Sequence, residues 1–147
     1  MNKTIVMKIL EQKKINYEYF EYDAGIVDGI GVASALKEDV NQVFKTLVTT
    51  DGNNHFYVFV IPVNATLDVK KVAKIVGKKS IDMIKQKDLE PLTGYIHGGC
   101  SPIGMKKKFP TYLDKTVENF SEIFVSGGRL LIKPVTNDFS ILNFNKI

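Results

Sequence analysis

The chain has 147 residues, of which 44% are hydrophobic and 24% charged, so it is long enough to bury the core of one globular domain. Its 20 Lys and Arg exceed its 16 Asp and Glu, and the net charge of +4 suits a polyanionic partner without by itself indicating nucleic-acid binding. The single cysteine excludes an intrachain disulfide, and no apolar run suits a membrane span or a signal peptide, so we expect a cytoplasmic protein without a membrane partner.

The first half of the chain predicts two helices and three strands. Ile5, Val6, Ile9 and Leu10 recur at helical spacing behind Thr4, a suitable N-cap. An aromatic-rich alternation follows, and later a near-continuous apolar run typical of a strand covered on both faces. We predict, in chain order, a helix over 4–14, a strand over 15–22, a short helix over 29–37, and a hairpin of strands 41–50 and 56–63 with its turn at 51–54.

The second half predicts three more helices and a second hairpin. Thr66 or Asp68 caps a helix that Gly77 ends, and Pro91 places the end of the next helix before it. We predict helices over 67–76 and 80–89, a strand over 111–113, a hairpin of strands 122–125 and 129–133, and a closing helix over 137–144 with Asn137 or Asp138 near its start. Interleaved strands and helices with two hairpins indicate a single α/β domain over residues 1–147, built on a mixed, curled β-sheet with surrounding helices.

The glycine-rich loop at 93–104 reads Thr-Gly-Tyr-Ile-His-Gly-Gly-Cys-Ser-Pro-Ile-Gly. Gly98, Gly99 and Gly104 permit positive φ and close approach of the backbone to a ligand. The remaining amides of such a loop can converge on one oxygen or phosphate. A tight connection between strands is the alternative interpretation. The three lysines at 106–108 favour an anionic ligand.

Lys45 lies within the apolar and β-branched run Val-Phe-Lys-Thr-Leu-Val at 43–48. Lysine is seldom placed in such a run. Two interpretations remain open from the residues alone. The side chain either points to solvent from a half-exposed strand, or it places an ammonium in a pocket where it holds an anion or a developing oxyanion.

Several other chemistries lack support in the sequence. Cys100 and His97 are close along the chain, but this does not show that a nucleophile and its base meet in space, and a lone cysteine is more often a small buried hydrophobe. Ser101 fails the nucleophile-elbow pattern because Ile follows Pro102, and we interpret it as a polar lining or turn residue. The two histidines and one cysteine predict no zinc site, and no phosphate-binding Walker loop is present.

Five stretches in order together resemble the YbaK/EbsC family, most closely its free-standing Cys-tRNA(Pro) deacylases. They are Val-Phe-Lys-Thr-Leu-Val at 43–48, Leu-Asp-Val-Lys-Lys-Val-Ala at 67–73, the glycine-rich loop at 93–104, Phe-Pro-Thr-Tyr-Leu-Asp at 109–114, and Phe-Val-Ser-Gly-Gly at 124–128. The resemblance extends from about residue 6 to residue 142. Members are similar to the editing domain inserted in bacterial prolyl-tRNA synthetases and share its α/β fold around a mixed sheet.

The resemblance implies roles for particular residues, without a metal or a cofactor. It places Lys45 and the loop residues Gly98, Gly99, Ser101 and Gly104 at the catalytic centre. The substrate-binding residues it implies are Phe20, Tyr22, Thr46, Asp138, Lys106 and Lys107. The family usually has tyrosine where this chain has Phe20. The implied partners are the acceptor end of a mischarged tRNA(Pro) and a prolyl-tRNA synthetase.

The activity implied by the resemblance is cleavage of the ester between cysteine and the terminal adenosine of tRNA(Pro), with Cys-tRNA(Cys) as a further substrate. The substrate's own thiol would attack the ester and release a cyclic thioester, so the reaction could be classed as a lyase or a hydrolase. Two other hypotheses stay open. One is a deacylase for another small amino acid, such as Ala-tRNA(Pro), that uses an activated water. The other is a non-catalytic module that binds tRNA or a synthetase.

Overall fold

Local signals in the sequence explain most of the element boundaries. The computed structural model describes residues 3–136 and 138–147. Thr4 Oγ1 accepts the Met7 amide at 3.2 Å, Asp68 Oδ1 accepts the Lys71 amide at 3.1 Å, and Gly77 ends its helix at a φ of 71°. The elements of the described residues are α1 (Ile5–Gln12), β1 (Tyr17–Glu21), α2 (Gly29–Ala35), β2 (Phe44–Thr50), β3 (Phe56–Pro62), α3 (Val69–Val76), β4 (Asp82–Met83), α4 (Gln86–Thr93), β5 (Thr111–Leu113), β6 (Val125–Ser126), β7 (Leu130–Pro134) and β8 (Phe144–Lys146).

The strands form two sheets joined by a bridge. The larger sheet has the order β4-β2-β3-β5-β8, with β2–β3 and β2–β4 antiparallel and β3–β5 and β5–β8 parallel. The smaller sheet, β1-β7-β6, is antiparallel. A parallel bridge between Val43 and Phe124 connects them, and the Phe44 amide donates to the Phe124 carbonyl at 2.9 Å. The predicted α/β class with mixed strand pairing is confirmed, although the one curled sheet is divided into two.

The central hairpin has α3 on one face and α1, within the largest hydrophobic cluster, on the other. Phe44 and Val48 of β2 pack with α1 in that cluster, whose helix contributes Val6, Met7 and Leu10. Alternate strand residues face the opposite side, where Phe59 packs beneath α3. All residues of β3 after Phe56 are buried, as the continuous apolar run predicted. On α1 the predicted apolar face is wrong at one position, because Ile5 is 54% exposed.

Two helix predictions in the second half are wrong. Residues 80–89 do not form one helix: β4 pairs Met83 with Thr49 at the sheet edge, and α4 begins later and contains Pro91. Buried Ile81 anchors this segment beneath α3, so tertiary pairing overrides local helix preference. The closing segment is a short 3₁₀ helix, Phe139–Leu142, followed by β8, and Asp138 caps it as predicted. The alternative cap, Asn137, lies outside the described residues.

Helices of the described residues are too short or too polar to cross a membrane.

Candidate active site

A cavity of about 550 Å³ lies along the edge of β2, at the junction of the two sheets. This volume falls in the range of about 300–1,000 Å³ that small-ligand sites occupy. Seven regions of the chain supply its wall: the end of β1, the start of α2, β2, the residue after β3, the β4–α4 segment, the glycine-rich loop and the β6–β7 hairpin. Among the lining residues are Tyr22, Asp28, Ile30, Lys45, Thr46, Leu47, Met83, Ile84, Leu89, His97, Gly98, Cys100, Ser126 and Leu131.

A gap in the hydrogen-bond ladder of β2 explains why the cavity lies here. On this edge β2 meets β6 through the bridge at Val43 and meets β4 only from Thr49 onward. The Val63 amide donates to the Val43 carbonyl, which sets the hydrogen-bonding alternation along β2. In an antiparallel pair, every second residue hydrogen-bonds to the partner strand. The odd-numbered residues of β2 therefore bond to β3, and the even-numbered residues direct their amides and carbonyls away from β3. The backbone of Thr46 therefore faces the gap between the two neighbouring strands.

The Thr46 hydroxyl is buried behind the wall at this gap. Its Oγ1 is covered by surrounding atoms and has no hydrogen-bond partner among the described residues. A buried hydroxyl without a partner is costly, by about 1–3 kcal/mol, and such groups are exceptional in native structures. Thr46 lines the cavity through atoms other than this oxygen.

Lys45 lies beside Thr46 on β2 and also lines the cavity. Its side chain is half-buried, since the strand pairs it with buried Ile61 on the face that α2 and α3 cover. The ion pairs found among residues 3–136 and 138–147 do not include it. Lys45 thus contributes to the cavity wall, and its place at the catalytic centre stays a prediction.

The glycine-rich loop reaches the cavity through a tight turn at Gly98. The Gly99 amide donates to the Ile96 carbonyl at 3.0 Å, and Gly98 has a φ of 84°, the pattern of a type II turn. A Cβ at Gly98 would lie 2.9 Å from the Val27 carbonyl oxygen, so only glycine fits. Because the Gly99 amide donates to Ile96 within the turn, it cannot also donate to an oxyanion as predicted. Gly98 lies in the cavity wall.

The other predicted catalytic loop residues lie behind the cavity wall rather than in it. Ser101 is fully buried, and its Oγ accepts the Ile103 amide at 3.1 Å. A Cβ at Gly99 would lie 2.9 Å from the Gly128 carbonyl oxygen, which shows how closely the loop approaches the β6–β7 turn. Gly104 lies against α1. These contacts hold the loop in place, so we interpret the three residues as positioning residues.

Cys100 lines the cavity as a thiol rather than a thiolate. Burial raises the pKa of Cys100 to about 12, while a hydrogen bond with Thr93 opposes part of the shift. A nucleophilic cysteine needs the opposite, an environment that lowers its pKa. The geometry therefore supports the interpretation of Cys100 as a small hydrophobe.

Of the two predicted aromatic residues, only Tyr22 lines the cavity. Burial raises the pKa of Tyr22, which keeps its phenol protonated. Phe20 packs edge-on against Phe124 with ring centroids 5.5 Å apart, and Lys133 Nζ lies 6.0 Å from its ring. Phe20 thus packs against the core. Tyr22, just after β1, is the residue of this region whose phenol lies at the cavity wall.

Asp138, Lys106 and Lys107 lie away from the cavity wall. Asp138 caps the 3₁₀ helix through Ser140 and lies in a separate depression with Glu118 and Lys146. The structure therefore does not bring the carboxylate implied by the resemblance to Lys45. Lys106 and Lys107 are exposed, and Lys106 Nζ lies 3.5 Å from the Pro91 carbonyl oxygen on α4. Since α4 contributes Leu89 to the cavity, these lysines flank the site from outside.

Sequence reasoning missed part of the wall, above all the start of α2 and Ser126. Asp28 accepts the Gly31 amide at 3.2 Å and begins α2 at the mouth, a capping pattern that could have been found from Asp-Gly-Ile-Gly at 28–31. Ser126 enters through the β6–β7 turn. Met83 and Ile84 could not be found, because the segment was predicted as helix.

Comparison with known proteins identifies the family of the chain. The family model of the aminoacyl-tRNA editing domain matches residues 28–130, which include β2, the glycine-rich loop and Ser126. EbsC of Enterococcus faecalis, a candidate Cys-tRNA(Pro)/Cys-tRNA(Cys) deacylase, is 46% identical over 129 residues, which are 86% of this chain and 79% of EbsC.

Two crystal structures share the fold. A candidate trans-editing enzyme for prolyl-tRNA synthetase superposes with a TM-score of 0.82 at 25% identity, covering 97% of this chain and 92% of that one. The hypothetical protein APE2540 superposes with a TM-score of 0.83 at 16% identity, covering 95% and 94% of the two chains, which speaks to the fold alone.

Proposed function

The chain belongs to the aminoacyl-tRNA editing domain family, and from this premise we propose that it removes cysteine from mischarged Cys-tRNA(Pro), with Cys-tRNA(Cys) as a second substrate. Its membership confirms the resemblance to the YbaK/EbsC family. The observation that carries the proposal is half-buried Lys45 in the wall of a cavity lined mainly by apolar side chains. Lys45 supplies charge, and the apolar wall suits a small side chain.

Lys45 supplies the electrostatic part of ester cleavage. When a nucleophile attacks the ester, negative charge develops on the carbonyl oxygen, and a preorganised cation or amide beside that oxygen lowers the barrier. Lys45 and the amide of Gly98 are the candidates in the cavity wall. Because both belong to rigid elements, a strand and a closed turn, they need little reorganisation during the reaction.

Thr46 and the apolar wall fit a small aminoacyl group. The backbone amide and carbonyl of Thr46 face the gap in the ladder of β2, where they can hydrogen-bond to the α-amino group or the thiol of a bound cysteine. Ile84, Leu89 and Leu131 add hydrocarbon to the cavity wall, which limits the access of water to the ester. Tyr22 offers a phenol for the ribose or the base.

The attacking group belongs to the substrate in this proposal. Cys100 holds its proton at neutral pH because burial raises its pKa to about 12. Ser101 is fully buried behind the wall. The thiol of the bound cysteine is held next to its own ester, so its attack is intramolecular and gains from fixed orientation.

Replacing Cys100 by alanine or by serine is expected to leave the deacylation rate within a few-fold of wild type. The measurement is single-turnover deacylation of Cys-tRNA(Pro), with thermal unfolding of each variant as the control for folding. A hundredfold loss in both folded variants would identify Cys100 as a nucleophile and contradict substrate-assisted attack.

The charge distribution favours an RNA partner beside the cavity. The lysine-rich segment, residues 70–108, contains ten of the 20 Lys and Arg but only three of the 16 Asp and Glu. It includes Lys85 and Lys87 at the start of α4, and Lys106 packs at the other end of that helix. Lysine side chains of this kind attract phosphate groups irrespective of base sequence. We propose that it holds the acceptor end of the tRNA, with Lys106 and Lys107 as contacts.

Changing Lys106 and Lys107 together to glutamine is expected to lower the affinity for tRNA. It should also make that affinity depend less steeply on salt concentration. Each phosphate contact on a single strand contributes about 0.7 to the slope of log affinity against log salt, so two lost contacts lower that slope by about 1.4. The matched control changes Lys8 and Lys115 to glutamine, since both are exposed and lie outside the lysine-rich segment. Equal salt slopes for the two double variants would exclude these lysines from the RNA contact.

The proposal extends to the whole chain as one editing domain over residues 1–147, acting in the cytoplasm and in trans to a prolyl-tRNA synthetase. Such a synthetase would produce the mischarged tRNA that this site consumes. The supporting facts are the coverage of 97% of this chain by a candidate trans-editing structure and the largest hydrophobic cluster, which contains residues of both sheets.

Deacylation of a panel of charged tRNAs by the purified protein tests the proposal. Rapid release of cysteine from Cys-tRNA(Pro), with Ala-tRNA(Pro) left largely intact, is the expected result. Faster release of alanine would instead favour a deacylase that activates water. Binding of tRNA without release of any amino acid would favour the non-catalytic module.

A further inference from the structure

His97 lies at the first corner of the type II turn that brings the glycine-rich loop to the cavity. The turn is closed by the bond between Gly99 and Ile96, and Gly98 packs against the backbone of Val27. These contacts hold the backbone of His97 in place although its side chain is exposed. The imidazole therefore borders the cavity from a rigid position rather than from a mobile loop.

The other titratable groups of the cavity wall do not suit proton transfer near neutrality. Burial raises the pKa of Cys100 to about 12 and also raises the pKa of Tyr22. Asp28 is occupied as the cap of α2 through the Gly31 amide. Lys45 supplies the positive charge. An imidazole is the side chain whose charge ordinarily changes between pH 5 and 8.

We infer that His97 is a general acid–base catalyst of the reaction, a role that rests on the proposed deacylase function. Its neutral imidazole takes the proton of the substrate thiol as the sulfur forms a bond to the ester carbonyl carbon. The bond from that carbon to the ribose oxygen then breaks, and the imidazolium returns the proton to that oxygen. The products are a cyclic thioester and tRNA with a free terminal hydroxyl, and no proton is gained or lost overall.

The second histidine of the chain provides a matched control. His55 lies in the β2–β3 turn, and its Nδ1 is 2.7 Å from Asp51 Oδ2. This turn follows the end of β2 at Thr50, and His55 is not among the residues that line the cavity. Exchanging either histidine for glutamine removes one imidazole and keeps a polar side chain. Both positions are exposed, so neither substitution opens a hole in the core.

The experiment measures kcat/KM for Cys-tRNA(Pro) across pH 5 to 9 with wild type, His97→Gln and His55→Gln. We expect His97→Gln to lose about 10²-fold near neutrality, the lower end of what general acid–base catalysis contributes. Wild type and His55→Gln should lose activity below neutrality as imidazole becomes protonated. His97→Gln should lack that limb and should instead rise with pH toward about 8.5, where a free thiol ionises.

A second variant separates chemistry from structure. His97→Ala should regain activity when imidazole is added, while His97→Gln should not, since the cavity space is filled. The role of His97 would be overturned if His97→Gln lost activity below neutrality just as wild type does. It would also be overturned if His97→Gln and His97→Ala both lost rate and neither a change of pH nor added imidazole restored it. The deacylase proposal would survive that result, because it fails only if wild type leaves Cys-tRNA(Pro) intact.

Discussion

Replacing Lys45 by alanine is expected to slow the deacylation of Cys-tRNA(Pro) by about 10²–10³ while the protein stays folded. This is the loss that follows removal of one preorganised contact to a developing oxyanion. Lys45 lines the cavity, is half-buried, and belongs to none of the ion pairs among the described residues. Its removal therefore breaks no structural ion pair, and stability should change little.

Single-turnover kinetics with saturating enzyme measure this effect without interference from product release. Lys8→Ala is the matched control, because Lys8 is an exposed lysine on α1 and its loss changes the net charge equally. Thermal unfolding of each variant establishes that the fold is intact. Near-normal turnover in folded Lys45→Ala would return Lys45 to the interpretation of a surface lysine and would remove the main electrostatic element from the mechanism.

Exchanging the cysteine of the substrate for serine on the same tRNA is expected to slow release of the amino acid strongly. Ser-tRNA(Pro) should bind about as tightly as Cys-tRNA(Pro), because the two amino acids differ by one atom. Its release should be slower by about 10² or more, since a hydroxyl is a much weaker nucleophile than a partly ionised thiol. The cavity has room for either side chain, so binding and rate should separate.

The measurement combines binding at several salt concentrations with single-turnover release of both amino acids by one preparation. Equal rates for serine and cysteine would rule out attack by the substrate thiol and would favour an activated water. Equal rates that also persist in Lys45→Ala would leave the amide of Gly98 and the imidazole of His97 as the catalytic elements that the cavity wall still offers.

Cys100, Lys45 and Thr46 show how far reasoning from residues reaches into the site. A lysine in an apolar strand is unusual enough to be noticed, whereas Thr46 was implied by the family resemblance. The prediction that Cys100 is no nucleophile agrees with its burial and raised pKa. In contrast, Asp138 was placed by resemblance alone, and the structure positions it in a separate depression.

Although it left Thr66 and Asp68 open as caps of α3, the sequence alone determined the α/β class, both hairpins and the helix start at Thr4 through periodicity and capping. These features depend on neighbours within a few residues, so local rules suffice for them. The motif pattern also determined the family, because it depends on residue identity and order.

Only the tertiary structure decided which loop groups reach the cavity and which support it. Whether residues 80–89 become a helix depends on pairing between Met83 and Thr49, and this gain is invisible to local propensity. The Gly99 amide is lost as a donor through its bond to Ile96, while Gly98 and His97 remain at the cavity. The gap in the ladder of β2 that exposes Thr46 arises where two sheets meet. It is a product of packing between distant segments, and no stretch of sequence contains it.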